Sequence, residues 1–391
     1  MFPVLALSLA LAGDPFPYEK EEAELSEEIR AVELKAHVYR LASPEFMGRR
    51  GAGAARAAKH MAMSFERLQL KPAFGDSYYQ PIPWLLAEGK NKENSVIGKN
   101  VGAILPGHDP KLKDEWILVS AHFDHLGKNE KNGGIFAGAD DNATGCAMLL
   151  EVAERFALQA AKTKRTIVFM AFDQEETGLL GSTHFASHAP LEISKLKVFL
   201  TADMIGRSMG NVMDEYVFAL GSETSKGLRR LVEDNPPAKG LKVGRVGADM
   251  IGTRSDYGPF RDRKIPFLFF STGQHPDYHT TRDTPDRIDY DKLCRISNWI
   301  FDLTAKLADT EKPPVWEKDG LPPDLDEVRT IQTLLSRVLD KPDVFTLTNK
   351  QKTLVKSTCD KLDEILKREK YTTTERTTLL WTARILMSSV F

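Results

Sequence analysis

Cysteine is scarce in this chain. Three occur in 391 residues, at Cys146, Cys294 and Cys359, and no CxxC pair is present. That argues against a structural zinc site built on thiolates. Cys146 and Cys359 fall in apolar helical patterns and read as small core residues. A surplus of charge is missing too. The formal net charge is −2, which gives no case for nucleic acid or an anionic membrane as the main partner. There is no internal repeat, and no segment long and apolar enough to span a membrane. The apolar N-terminal stretch, Val4 to Ala12, is itself too short for a bilayer. It ends in Ala10-Leu11-Ala12, a small-x-small pattern, although no Lys or Arg precedes it. It reads as a secretory signal, so the expected location is secreted or periplasmic.

What remains is an ordinary globular composition, 42% apolar and 28% charged, with length for one large or two modest domains. Residues 1–19 take the signal and mature N-terminus. Residues 20–36 are acidic and helix-prone. LASPEFMGRRGAGAARAAKHMAMSFERLQL then reads as a Gly-rich turn entering an amphipathic helix. Strand-like runs follow: VGAIL, WILVS, RTIVFMAF, KVFLTAD, EYVFAL and PFLFFS. Helical patterns such as ATGCAMLLEVAERFALQAA and DKLCRISNWIFDLTAKLA lie among them. This alternation predicts an α/β fold with a mixed, largely parallel sheet sandwiched by helices. The catalytic domain, with its helical lead-in, is expected over residues 20–309. A proline- and charge-rich linker spans 310–324. A small helical C-terminal extension, with patterns at Leu325–Leu339, Leu354–Leu366 and Leu379–Leu386, completes the chain to residue 391.

Polar clusters follow four of the strand-like runs. WILVS leads into AHFDHLG, with His122, Asp124 and His125. RTIVFMAF leads into DQEETG, with Glu175 and Glu176. KVFLT leads into Asp203. PFLFFS leads into TGQHPDYHTTRDTPD, with His275 and His279. A fifth cluster, FAGADDNATG, carries Asp140 and Asp141 just before a helix. Each alone has a bland explanation: a hydrogen-bonded HxD pair, a helix cap, an acidic loop. In open α/β sheets, however, sites form beyond the carboxyl ends of the strands, where these clusters would meet. Imidazoles and carboxylates without thiolates suit zinc or a similar divalent ion in an open, catalytic site.

Spacing adds detail. Residues two apart in an extended segment share a face. Asp124 then accepts the proton on the second ring nitrogen of His122, and His125 points away. Glu175 and Glu176 diverge, so one can bind metal while the other handles protons. Two metals need a shared ligand, and an aspartate of FAGADDNATG can supply it.

The order AHFDHLG, GADDNATG, DQEETG, ADMIG, DYHTTRDTPD resembles the zinc exopeptidases with a co-catalytic metal pair, over about residues 40–308. That family includes leucyl-type aminopeptidases, glutamate carboxypeptidases and glutaminyl cyclases. The resemblance implies two Zn2+ ions. His122 and Asp203 would hold one, Glu176 and His279 the other, and Asp140 would bridge them. Asp141 would follow Asp140 through a cis peptide. Glu175 would be the general base and Asp124 the outer partner of His122. Tyr257 stands where relatives often have histidine, and is expected to line the pocket or donate to the oxyanion. The expected function is a zinc aminopeptidase acting on peptides with free N-termini. A carboxypeptidase or dipeptidase on the same scaffold is the alternative, with Arg207, Arg254 or Arg282 as the carboxylate clamp. A catalytically dead binding ectodomain is the reading from another class, and a glutaminyl cyclase with one zinc is the remaining enzyme.

Overall fold

A computed structural model describes residues 25–83, 95–131, 133–159, 162–342 and 344–390, with residues 384–390 described in backbone only. The signal-like segment lies outside the described residues.

Among the described residues nine strands form one sheet: β1 (Lys71–Pro72), β2 (Tyr79–Pro83), β3 (Val96–Leu105), β4 (Trp116–His122), β5 (Thr166–Phe172), β6 (Leu196–Ala202), β7 (Tyr216–Leu220), β8 (Lys242–Val246) and β9 (Phe267–Ser271). Their order is β1-β3-β5-β4-β6-β9-β7-β8, with β2 also paired to β3. The centre is parallel: β4 pairs with β5 and β6, and β6 pairs with β9, all in parallel. Antiparallel pairings flank it, β3 with β5 on one side and β7 with β9 on the other. The sheet is therefore mixed with a parallel core, as its apolar runs require. Every residue of β4 and β5 is buried, which explains runs that are apolar throughout rather than alternating.

Alternate residues feed two cores. Ile117, Val119 and Ala121 face a layer that contains α1 (Ala31–Leu41), α2 (Ala52–Arg67), α3 (Gly145–Leu158) and α7 (Tyr290–Asp309). Trp116 and Leu118 face the opposite layer, with Phe185 of α4 (Leu180–Ser187) and Phe260 of α6 (Gly258–Asp262). A short α5 (Lys226–Asp234) lies between β7 and β8 in sequence.

The C-terminal helices are α8 (Leu325–Asp340), α9 (Asn349–Arg368) and α10 (Thr373–Val390). They share a small core that includes Val328, Ile331, Leu335, Val355, Leu362 and Leu379. Helix α8 also lies against the sheet. A Cβ on Gly244 of β8 would stand 2.8 Å from Thr330 Cγ2 and 2.7 Å from the Phe218 ring. Only glycine admits so close an approach. No described helix is long and apolar enough to cross a membrane.

Candidate metal centre

The four central strands β5, β4, β6 and β9 end along one edge, and their following residues converge there. His122 is the last residue of β4, Glu175 and Glu176 follow β5, Asp203 follows β6, and His279 lies beyond β9. Two groups of ligand atoms form, each with all members within 4.8 Å of one another. One is His122, Asp141 and Asp203; the other is His125, Asp141, Glu176 and His279. Asp141 belongs to both. Its Oδ1 lies 3.4 Å from His122 Nε2 and its Oδ2 lies 3.0 Å from His279 Nε2. His122 Nε2 is also 3.4 Å from Asp203 Oδ1, and His279 Nε2 is 3.2 Å from Glu176 Oε2.

The shared position therefore belongs to Asp141, and the expectation for Asp140 is corrected. Asp140 Oδ1 instead accepts hydrogen bonds from Gly206 N at 2.7 Å and Thr144 Oγ1 at 3.3 Å. Its Oδ2 lies 3.4 Å from His275 Nε2, away from the two groups. The reason is the backbone of the turn. Asp141 and Asn142 leave helical geometry, at φ/ψ of −107°/91° and −132°/46°, so neighbouring side chains diverge and only one of the aspartates faces the cluster. The cis peptide is likewise one residue later than expected, joining Asp141 to Asn142.

His125 is the second correction. It does not point away: its Nδ1 meets Glu176 Oε1 at 2.7 Å. Asp124 lies beside His122: His122 Nδ1 is 3.3 Å from the Asp124 backbone oxygen and 3.6 Å from its carboxylate. The Asp124 carboxylate also accepts from Glu175 N at 3.0 Å and Glu176 N at 3.2 Å. It thus ties the end of β4 to the loop that presents both glutamates. Tyr257 is the third correction. Its ring is fully buried, stacked on Phe267 with centroids 5.0 Å apart, and its hydroxyl donates to Gly252 O. It is a core residue, not a pocket residue. Ser255, two positions earlier, reaches the cluster: its Oγ donates to Asp203 Oδ2 at 2.9 Å.

The glutamates do diverge. Glu176 bonds His125 and lies 3.2 Å from the His279 ring nitrogen. Glu175 lies outside both groups, beside His122 and Asp203. Their acidities separate accordingly. Burial pushes the Glu175 carboxyl well above its ordinary range, with Asp203, Asp256 and Asp124 adding repulsion against the pull of His122. Burial and the neighbouring Asp141 would raise Glu176 too, but the adjacent imidazoles of His125 and His279 bring it below its usual value. The two adjacent carboxyls are therefore shifted in opposite directions.

The cluster also favours positive charge at its centre. Burial disfavours a charged His122, yet Asp203, Glu175, Asp124 and Asp141 raise its pKa well above normal. His279 is raised to about 10, against burial, by Asp141 and Glu176. His122 Nε2, His279 Nε2 and Asp203 Oδ1 are buried and have no hydrogen-bond partner among the described residues. Converging orphan donors in an anionic pocket fit a divalent metal.

The loop that carries Asp141 is clamped at both polarities. The buried guanidinium of Arg49 donates to five backbone oxygens: Phe123 (2.7 Å), Leu41 (3.1 Å), Ala137 (2.6 Å), Gly138 (2.6 Å) and Asp141 (3.1 Å). Asp283 accepts from Asp140 N at 3.0 Å and Asp141 N at 3.1 Å. Gly138 is required here: it sits at φ 56°, and a Cβ would stand 2.2 Å from Asp141 O. Sequence reasoning missed Arg49, because MGRRGAG offers two adjacent arginines with no spacing cue to which is buried. Arg49→Ala would strand several buried carbonyls at ~1–3 kcal/mol each, so a loss of at least about 3 kcal/mol is expected in urea unfolding. A loss under ~1 kcal/mol would mean that water replaces the clamp without strain.

Beside the cluster lies a cavity of about 130 Å³, with Asp141, Glu175, Glu176 and Asp203 at one end. On that scale a single water occupies ~10–15 Å³, so the space suits a side chain. Most of its wall is apolar, including Met204, Met209, Phe218, Leu220 and Phe269.

A family model described as Peptidase family M28 matches residues 100–304. Aminopeptidase YwaD of Bacillus subtilis is 28% identical over 206 residues, covering 51% of this chain and 42% of that protein. This chain thus matches less than half the length of that relative. The Legionella pneumophila LapA aminopeptidase has a similar structure, at a TM-score of 0.57 and 20% identity over 75% of this chain and 76% of that one. BSAP, a zinc aminopeptidase from Bacillus subtilis, superposes at a TM-score of 0.56 and 15% identity, over 76% of this chain and 100% of that one. At those identities the likeness establishes the fold.

Proposed function

The chain belongs to peptidase family M28, and from that premise we propose that it is a two-metal zinc aminopeptidase that removes the N-terminal residue of peptides. The observation that carries the reading is Asp141, one carboxylate that is a member of both ligand groups. His122 and Asp203 would complete one metal site. Glu176 and His279 would complete the other, with His125 holding Glu176 in place. Two ions bound there would polarise the scissile carbonyl and acidify a water.

The chain's own residues do the rest. Glu175, outside both ligand groups and with a raised pKa, takes a proton from the attacking water and returns it to the leaving amine. Asp124 fixes the Glu175 and Glu176 backbone, so base and ligand move as one unit. The anionic rim of Glu175, Glu176 and Asp141 receives the free ammonium of the substrate, and the apolar cavity receives its first side chain. Export is proposed as well, on the strength of Val4–Ala12 and the Ala10-Leu11-Ala12 pattern.

A carboxypeptidase is the second reading, and one observation favours it. Arg207 and Arg282 are committed to Asp277, at 3.1 and 2.8 Å. Arg254, however, is exposed and lines the cavity, where it could meet a terminal carboxylate. Zinc-loaded protein assayed on amino-acyl p-nitroanilides, their N-acetylated forms and N-blocked dipeptides decides between them. Cleavage of free N-termini with little or none of blocked ones is expected. Equal rates would sink the aminopeptidase reading. Metal analysis of the same preparation should return about two ions per chain; one ion with full activity would remove the two-metal assignment.

A further inference from the structure

The C-terminal helices bear no ligand of the metal centre, yet they reach the cavity beside it. Thr330, Ile331 and Leu334 of α8 line the same space as Glu175, Glu176, Asp141 and Asp203. These positions lie beyond residue 304, where the family match ends. The helix is anchored there by specific contacts. Arg337 donates to Val212 O at 2.7 Å and to Glu215 at 2.9 Å, and burdened with this pair Glu215 falls to about 2.

A neighbouring part of the lining is held by the same extension. Met250 and Ile251 reach the cavity from the segment after β8. That segment begins at Gly247, whose N–H donates to the buried Glu327 carboxylate of α8 at 2.9 Å. Arg376 of α10 grips Glu327 at 2.8 Å and, through both terminal nitrogens, Asp249 at 2.7 Å. Tyr371 adds a bond to Glu327 at 3.3 Å. Both the α8 part of the cavity wall and the segment beside it are therefore set by residues 325–376.

The geometry points to a substrate-selecting role for this extension: Ile331 and Leu334 set the depth of the pocket for the first side chain, favouring large apolar residues over small or charged ones. This rests on the aminopeptidase reading. Away from the carboxylates of the cluster the wall is mostly apolar, and Arg254 is the one other charged side chain that lines it. An acidic or basic side chain that enters deeply would lose its hydration without repayment.

Two full-length variants test it, one filling and one emptying the space. Ile331→Trp should lower the leucyl-to-alanyl ratio of kcat/KM on p-nitroanilides by about tenfold or more, the scale on which one apolar pocket contact discriminates. Leu334→Ala should shift preference the other way, towards phenylalanyl over leucyl substrates. Zinc content measured alongside shows that each variant is folded; should Ile331→Trp misfold, Leu334→Ala carries the test. Dissociation constants for leucine hydroxamate and glycine hydroxamate give a readout independent of turnover, and only the first should weaken in Ile331→Trp. Unchanged ratios and unchanged hydroxamate ranking in zinc-replete variants overturn the inference. A wild-type chain that binds the hydroxamates as expected, with the ranking shifted in the variants, but cleaves no free N-terminus overturns the aminopeptidase reading and leaves the wall in place.

Discussion

Glu175→Gln should lower kcat by at least ~10²–10⁴-fold, the usual worth of a positioned general acid or base. The amide keeps the shape of the carboxylate but cannot accept and return a proton. Because Glu175 stands outside both ligand groups, zinc content should stay close to wild type. Glu176→Gln should behave differently. It replaces an anionic oxygen at the His279 group with a neutral one, so metal binds more weakly and added zinc restores part of the rate. Added zinc should do nothing for Glu175→Gln. The check is a zinc titration of kcat for both variants with metal content measured in parallel. Rescue of Glu175→Gln and not of Glu176→Gln would show the right pair with exchanged roles.

The second large effect is expected at Asp141. Asp141→Ala removes a ligand from both groups at once, so both ions should be lost on dialysis and activity should fall to background. Burial opposes charge on Asp141, yet the imidazoles of His122, His125 and His279 hold its pKa well below the ordinary carboxylate range. It is therefore an anion throughout the neutral range. Asp140→Asn provides the contrast. It keeps a similar shape and an oxygen acceptor for Gly206 N and Thr144, and it takes no anion from either ligand group. Its zinc content should stay near wild type. Metal analysis after dialysis against zinc-free buffer separates the two. Zinc lost from Asp140→Asn and kept by Asp141→Ala would return the bridge to Asp140.

Much of this site was legible because its polar residues interrupt otherwise apolar strands. WILVSAH and RTIVFMAF cannot be buried on both faces and then end in His122 or Asp173 without a use for the polar atoms. Asp203 at the end of KVFLTA and His279 beyond PFLFFS are of the same kind. Helix α7 and the three C-terminal helices followed from apolar periodicity, and each lies within a few residues of its pattern. Strand β8 did not: KVGRV carries Lys242, Gly244 and Arg245 among two valines, so neither alternation nor an apolar run marks it. Its register comes from pairing with β7.

What the chain determined by itself is the set of chemical groups and the edge on which they gather, since residue type and strand period are local properties. Only the tertiary structure decided which aspartate of GADDNATG is shared. That depends on a turn clamped by Arg49 and Asp283, which are 92 and 142 residues from Asp141. It also turned His125 inward, through a partner 51 positions away, and took Tyr257 into the core. The pocket wall from α8 belongs to the same class. Side-chain direction and pocket shape are fixed by contacts between distant segments, and no local pattern records them.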